Sequence, residues 1–193
     1  SLVKIVLTRG TGGSGYLPET DAVMTRVVTA YPWPEEQVRR GRNGATARLC
    51  DTRLAVQPAL GGINHLNRLE LVLAAREMAA YPGDEGLLLD TNDHLISAVD
   101  SNIFLIMGDQ LLTPRMDHSG VRGILRGRIA RAFKARTELR RITLDMLPEA
   151  DEVILCDVIR GIVPVISVGD WRFSPGPVTA ELQAWLEERR GRQ

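Results

Sequence analysis

The sequence lacks several features that would point to particular classes of protein. Its formal net charge is zero, and it has no basic cluster with interleaved aromatic residues, so nothing favours nucleic acid as a partner. The two cysteines, Cys50 and Cys156, are isolated and lack the spacing of a metal or redox motif, which is typical of buried residues in a reducing compartment. No apolar run approaches the roughly 18 residues that a membrane span requires. We therefore expect a cytoplasmic protein with no metal site.

Lysine is also nearly absent. Lysine and arginine together number 24, and only Lys4 and Lys134 are lysine. Neither lies in a motif that would present its amine to a substrate. Chemistry that needs a lysine amine therefore has few candidates in this chain.

Residues 61–80 are the most informative stretch, a glycine turn that runs directly into a predicted amphipathic helix over residues 66–80. The apolar residues of this helix recur at helical spacing, at Leu66, Leu69, Val72 and Leu73. Two glycines allow the turn to pass close to a ligand, so chemistry is expected here. Yet the turn presents Asn64, whose amide is neither nucleophilic nor basic.

The rest of the pattern predicts an α+β fold with a mixed or barrel-like sheet. Residues 9–16, RGTGGSGY, are glycine-rich but lack the lysine and serine of a phosphate-binding loop, so we interpret them as a linker. A helix over residues 121–135 is predicted to be capped by Ser119, and a closing helix spans residues 177–190. Apolar runs predict strands at residues 2–8, 25–31, 45–50, 86–90, 95–98, 102–107, 111–112, 139–143, 153–156 and 163–168.

Several segments also carry a family resemblance, because they occur in a characteristic order: KIVLTRGTGGSGY, GGINHLNRLELVLA, DEGLLLD, DSNIF, TPRMDHSGVRGILR and ADEVILCD…PV. In this order they resemble the class IV aminotransferases, the fold-type IV pyridoxal-phosphate enzymes, and within them most closely the 4-amino-4-deoxychorismate lyases. Such lyases eliminate pyruvate from 4-amino-4-deoxychorismate and give 4-aminobenzoate for folate. The resemblance implies a homodimer of two-domain chains. Residues 1–9 would be the last strand of a small domain that is otherwise missing, residues 10–24 a linker, and residues 25–193 the large, barrel-like domain.

The resemblance implies altered chemistry at three positions. Asn64 stands where the family has the lysine that forms a Schiff base with pyridoxal phosphate. Ser97 stands where a glutamate pairs with the pyridinium nitrogen, and serine cannot supply that negative charge. Asp100, three residues on, would face the other side of a regular strand. Ser14 stands where an arginine grips a substrate carboxylate, and serine loses the bidentate fork.

Two further segments correspond to the family's phosphate site. Asp157 and Val158 stand where many relatives have asparagine followed by serine or threonine, and a carboxylate there would repel the phosphate. Residues Gly120, Val121, Arg122, Gly123 and Ile124 still offer backbone N–H groups at a helix N-terminus, which attract an anion. A helix start that needs glycine only for packing explains the same residues equally well. His65, Asn67 and Arg68 match the family pattern, and we expect them to fix the turn.

Three hypotheses follow. The first is that the chain is a lyase-like protein that is inactive by the pyridoxal-phosphate route and binds no cofactor covalently. On this hypothesis it retains a chorismate-derived ligand or a role in assembly. Alternatively, it is an active lyase or transaminase whose small domain comes from another segment. The third hypothesis is a cofactor-independent enzyme that uses His65 or Asp157 in the same cleft. We also expect the apolar strand at residues 2–8 to be covered by a partner chain or to pair with its own symmetry mate.

Overall fold

The computed structural model describes residues 1–42, 44–82 and 84–190, with the backbone alone for residues 40–42. Its internal contacts divide the chain into two units, Ser1–Glu36 and Gln37–Gln193. Short 3-10 turns lie at Lys134–Arg136 and Leu144–Met146. The other elements are β1 (Leu2–Thr8), β2 (Thr25–Tyr31), α1 (Glu35–Arg42), β3 (Ala45–Leu49), α2 (Leu69–Met78), β4 (Glu85–Leu89), β5 (Leu95–Ala98), β6 (Asn102–Met107), β7 (Gln110–Pro114), α3 (Ile124–Ala132), β8 (Thr137–Arg140), β9 (Glu152–Asp157), β10 (Gly161–Val168), β11 (Trp171–Arg172) and α4 (Pro177–Arg190).

The first unit is built on β1 and β2, which pair antiparallel from Leu2 opposite Tyr31 to Thr8 opposite Thr25. The sequence placed residues 25 onward in the large domain. In the structure, β2 instead makes its ladder with β1 along its whole length, so residues 25–36 fall in the first unit. The assignment of residues 1–9 to a small domain and of 10–24 to a linker stays a prediction, and residues 191–193 of the predicted large domain lie outside the described part.

The second unit contains one mixed sheet. In the described part of this unit the strand order is β5-β4-β3-β10-β9-β6-β7-β8, with β11 beside β10. Strand β3 runs parallel to β4 and β10, and β7 runs parallel to β8, while the other neighbours are antiparallel. The Leu95 N–H donates to the Ile142 carbonyl at 2.8 Å, which links β5 to the segment after β8. The predicted α+β fold with a barrel-like sheet is confirmed as a curled half-barrel.

Both faces of the central strands are buried, which explains their apolar runs. Along β6, Ile103 and Leu105 point into the concave core, while Phe104 and Ile106 pack beneath α3 and α4. Strand β9 alternates in the same way. Among the described helices none is long and apolar enough to cross a membrane.

The helix after the glycine turn differs from its prediction in start and orientation. It begins at Leu69 rather than at residue 66, and it packs through Ala74 and Met78. The predicted apolar stripe faces outward, with between 50% and 65% of each residue exposed at Leu66, Leu69, Val72 and Leu73. Helical spacing correctly identified an apolar face. However, Ala74 and Met78, on the opposite face, make the contact with the sheet.

Glu152, at the start of β9, fixes the N-terminus of α4. Its carboxylate accepts backbone N–H groups from Gly176 at 2.9 Å, Val178 at 3.0 Å and Thr179 at 2.8 Å. Burial alone would raise the pKa of Glu152, but the hydrogen bonds from these three residues outweigh it and hold the pKa below its usual value. The carboxylate therefore joins α4 to the strand that leads to the candidate site.

We expect Glu152→Gln to lower the free energy of unfolding by about 1–3 kcal/mol at neutral pH, because an amide nitrogen then faces backbone donors. Since the folded-state pKa is depressed, the carboxylate's contribution is present above its unfolded pKa and is lost as the pH falls through the folded value. The variant should lack this part of the acid dependence in urea unfolding. The exposed Glu149→Gln serves as the control, and equal effects of the two substitutions would contradict this role.

Candidate functional site

A cavity of about 460 Å³ opens in the second unit where four loops and the start of α2 converge. The loops follow β5 and β9 and precede α2 and α3. Nine of the ten residues predicted from the sequence line this cavity; Ser14, the tenth, belongs to the first unit. The lining residues are Leu54, Asn64, Arg68, Leu71, residues 97–102, residues 120–125 and residues 156–158.

Glycines join the Asn64 loop to the loop before α3. The Gly62 N–H donates to the Gly120 carbonyl at 3.1 Å, and the Arg122 N–H donates to the Gly62 carbonyl at 3.0 Å. Gly62 has φ +81°, and a Cβ there would lie 2.6 Å from Nε of Arg122. The turn was expected to need glycine for approach to a ligand. It needs glycine for approach to a neighbouring loop of its own chain.

Asn64 projects from this turn, and Arg68 holds the turn in shape. The Arg68 guanidinium donates to the His65 carbonyl at 3.1 Å and to the Ile63 carbonyl. The predicted role of Arg68 in fixing the helix entry is therefore confirmed. Arg68 also lines the cavity, which the sequence did not predict. His65 lies outside the residues that line it.

Ser97 lies in β5 opposite Leu88 and is 7% exposed. Asp100 was expected to face away from it by strand alternation. However, β5 ends at Ala98, and the following turn brings Asp100 to the same cavity. The expectation was wrong because alternation applies only while the strand continues.

The Asp157 carboxylate is held by partners within the chain. Its oxygens accept from the backbone N–H groups of Ile159 and Arg160, both at 2.8 Å, and from Nε of Arg160 at 2.7 Å. The same guanidinium bonds both oxygens of Glu85, at 2.5 and 3.3 Å. Burial alone would lower the pKa of Arg160, but the Glu85 and Asp157 carboxylates raise it. The predicted repulsion of a phosphate by Asp157 is thus reduced by Arg160, which shares its single positive charge with Glu85.

Helix α3 begins at Ile124, three residues later than predicted, with Gly123 as its N-cap and no side-chain cap. Ser119 was expected to cap the helix, but its hydroxyl has no hydrogen-bond partner among the described residues. Asn102 holds the loop instead, since its side-chain amide donates to the Val121 carbonyl at 2.9 Å. The first turn of α3, which lines the cavity, therefore keeps backbone N–H groups that a side chain does not cap.

The donor set fits a non-covalently held anion and does not fit a Schiff base with pyridoxal phosphate. No lysine lines the cavity in the described part of the chain: Lys4 lies in β1, and Lys134 lies in a 3-10 turn after α3. Cys156 lines the cavity, but burial raises the pKa of its thiol to about 12, so it is not a thiolate nucleophile. Among the described residues, no three His, Cys, Asp or Glu side chains form a potential metal site.

We expect Gly123→Ala to lower the free energy of unfolding by about 1–3 kcal/mol, because a Cβ there would overlap Oδ1 of Asn102. Gly127→Ala, one turn later in α3, is the matched control. No atom lies within 4 Å of a Cβ at Gly127, so alanine should add about 1 kcal/mol through helix propensity. Urea unfolding compares the two variants, and similar values would contradict the crowding at Gly123.

Comparisons with known proteins agree with this geometry. The amino-transferase class IV family model matches residues 1–168. An aminodeoxychorismate lyase from Vibrio harveyi is 30% identical over 191 residues, which cover 95% of this chain and 70% of that protein. The 4-amino-4-deoxychorismate lyase structure from Pseudomonas aeruginosa is 35% identical, with a TM-score of 0.91 over 96% of this chain and 70% of its own. An aminotransferase from Brucella abortus bound to the co-factor PLP shares the fold at 19% identity, with a TM-score of 0.75 over 96% and 67% of the two chains.

Proposed function

Because the chain belongs to the class IV aminotransferase family, we propose that it is an aminodeoxychorismate lyase-like protein that binds a small anion without forming a Schiff base. The family reaction, elimination of pyruvate from 4-amino-4-deoxychorismate to give 4-aminobenzoate for folate, is then not catalysed through pyridoxal phosphate. The observation that supports this most directly is the cavity lining, in which Asn64 and Ser97 stand at the positions implied for the lysine and the glutamate.

Non-covalent retention of an anion is supported by what the cavity keeps. The first turn of α3 opens into it, and Arg68 and Arg122 line it. Arg122 donates to the Met116 carbonyl and Arg68 to backbone carbonyls, so neither guanidinium is hydrogen-bonded to a carboxylate in these contacts. A carboxylate- or phosphate-bearing molecule of the kind that the family binds, such as a chorismate-derived acid, matches these donors.

The cofactor-independent alternative has less support. Asp157 would have to exchange protons, but its oxygens are already held by Arg160 and by two backbone N–H groups. His65 would have to reach a ligand in the cavity, yet it is not among the lining residues. A 4-aminobenzoate formation assay on the unchanged protein without added cofactor tests this alternative, and product above background would favour it over our proposal.

We expect no protein-bound absorbance band of an internal aldimine when the unchanged protein is incubated with pyridoxal phosphate, because no lysine among the described residues lines the cavity. The double variant Asn64→Lys/Ser97→Glu should form such a band. Asn67→Lys, which adds a lysine on the same segment but outside the cavity lining, is the matched control and should not form it.

Two results would count against the proposal. A band formed by the unchanged protein would favour an active lyase or transaminase. A double variant that remains without a band would show that positions 64 and 97 are not where the cofactor chemistry is lost.

We further propose that a second copy of the chain covers the exposed face of α2, giving the homodimer that the family resemblance implies. Large apolar residues clustered at Leu66, Leu69, Val72 and Leu73 are at least half exposed, and an exposed apolar patch of this kind marks an interaction surface. Because Arg68 and Leu71 lie between these residues and line the cavity, a partner on this face would also enclose the site.

The unchanged protein should elute as a dimer at micromolar concentration in size-exclusion chromatography with light scattering. Leu69→Glu/Val72→Glu should elute as a monomer, because two carboxylates would be buried in the interface. The control is Leu139→Glu, an equally exposed leucine on β8, which should leave the dimer intact. A monomeric unchanged protein, or a dimeric double variant, would contradict this proposal.

A further inference from the structure

The arginines near the cavity differ from Arg160 and Arg136, two other arginines of the second unit, in what they bind. Arg160 is held by Glu85 and Asp157, and Arg136 by Asp109 and Glu181. In contrast, the guanidinium hydrogen bonds that the structure shows for the cavity arginines go to neutral oxygens. These arginines are Arg68, Arg122 and Arg126.

Arg126 is the most buried of the three, with 5% of its surface exposed. Its Nε donates to Oγ1 of Thr113 at 2.9 Å, and another guanidinium nitrogen donates to the Pro114 carbonyl at 2.5 Å. Within the described residues no carboxylate forms an ion pair with it. Burial lowers the pKa of Arg126, and the positive charge of Arg122 lowers it further. Burying a charged group with only neutral partners costs free energy. We therefore expect a negative charge to lie close to Arg126.

The position of Arg126 indicates where that counter-charge would sit. It is the third residue of α3, whose first residues Ile124 and Leu125 line the cavity. The positive end of the helix dipole, the Arg126 charge and the Arg122 side chain therefore act on the same end of the cavity. Ser101, which is 7% exposed, lines this cavity as well, and its hydroxyl has no hydrogen-bond partner among the described residues.

We propose that Arg126 is a positioning residue whose buried charge balances a phosphate group bound at the N-terminus of α3, so that anion binding stabilises this fold. Arg126 does not touch the anion but acts through the first turn of α3. The inference rests on the proposed anion-binding function of the cavity. It adds that one buried side chain couples occupancy of the cavity to the stability of the second unit.

Thermal unfolding with and without inorganic phosphate tests the coupling, with sodium chloride added to match ionic strength. Phosphate should raise the Tm of the unchanged protein, and most of this increment should be lost in Arg126→Met, with a dissociation constant about tenfold higher. Arg126→Lys should keep the increment although its Tm without phosphate is lower. Arg131→Met removes an exposed arginine at the other end of α3 and should behave like the unchanged protein.

A merely structural Arg126 would lower Tm equally with and without phosphate, and that result would overturn the inference. So would an unchanged protein whose Tm does not respond to phosphate. If Arg126→Met does not fold, Arg126→Lys still tests the inference. A Tm of Arg126→Lys that phosphate does not raise would contradict a role that depends on positive charge.

Pyridoxal phosphate and pyridoxal distinguish the source of the phosphate group. The phosphate ester should raise Tm as inorganic phosphate does, and pyridoxal should not; a shift by pyridoxal alone would show that the ring rather than the phosphate is bound, which overturns the inference. An aldimine band would overturn the proposed function without removing the difference between Arg126→Met and Arg126→Lys. The two proposals can therefore fail separately.

Discussion

The pairing of β6 with β9, in which Asn102 lies opposite Cys156, is the constraint on which the site depends. This register places the turn before β6 next to the loop after β9. The side chain of Asn102 then reaches the Val121 carbonyl and lies against Gly123. One strand pair and one amide therefore bring together three of the chain segments that line the cavity, and Gly62 attaches the Asn64 turn to them. A change in this register would disperse the site without altering any residue that faces a ligand.

The backbone around the cavity and the side chains that line it indicate different things about function. The glycine turn, the uncapped start of α3 and the buried central strands are those of a class IV aminotransferase fold. The groups that would perform cofactor chemistry are different in kind: an amide at position 64 and a hydroxyl at position 97 replace what the resemblance implies as an amine and a carboxylate. Arg68, Arg122 and Arg126 bind neutral oxygens, while Asp157 shares the positive charge of Arg160 with Glu85. An environment of this kind favours the proposed binding of an anion over proton transfer.

Much of this could be predicted from the sequence, and the failures have identifiable causes. Most of the strands and α4 followed from apolar runs and from Pro177 at the start of a helix, whereas β11 was not predicted and β8 begins two residues before its predicted start. The candidate residues came from the family resemblance, and all but Ser14 line one cavity. The direction of α2 could not be predicted, because helical spacing shows that an apolar face exists and not what covers it. The anchoring of the loop before α3 by Asn102 and the pairing of Arg160 with Glu85 depend on contacts between residues distant in sequence, which a local pattern does not contain.

The central claim is that the cavity holds its ligand without a covalent bond. The most direct measurement is borohydride reduction of the protein mixed with pyridoxal phosphate, followed by peptide mass mapping. Reduction makes any Schiff base permanent, and the scarcity of lysine makes every adduct easy to assign. We predict no stoichiometric phosphopyridoxyl adduct at Lys4 or Lys134, while phosphate still protects the fold. A stoichiometric adduct at either lysine would contradict the account.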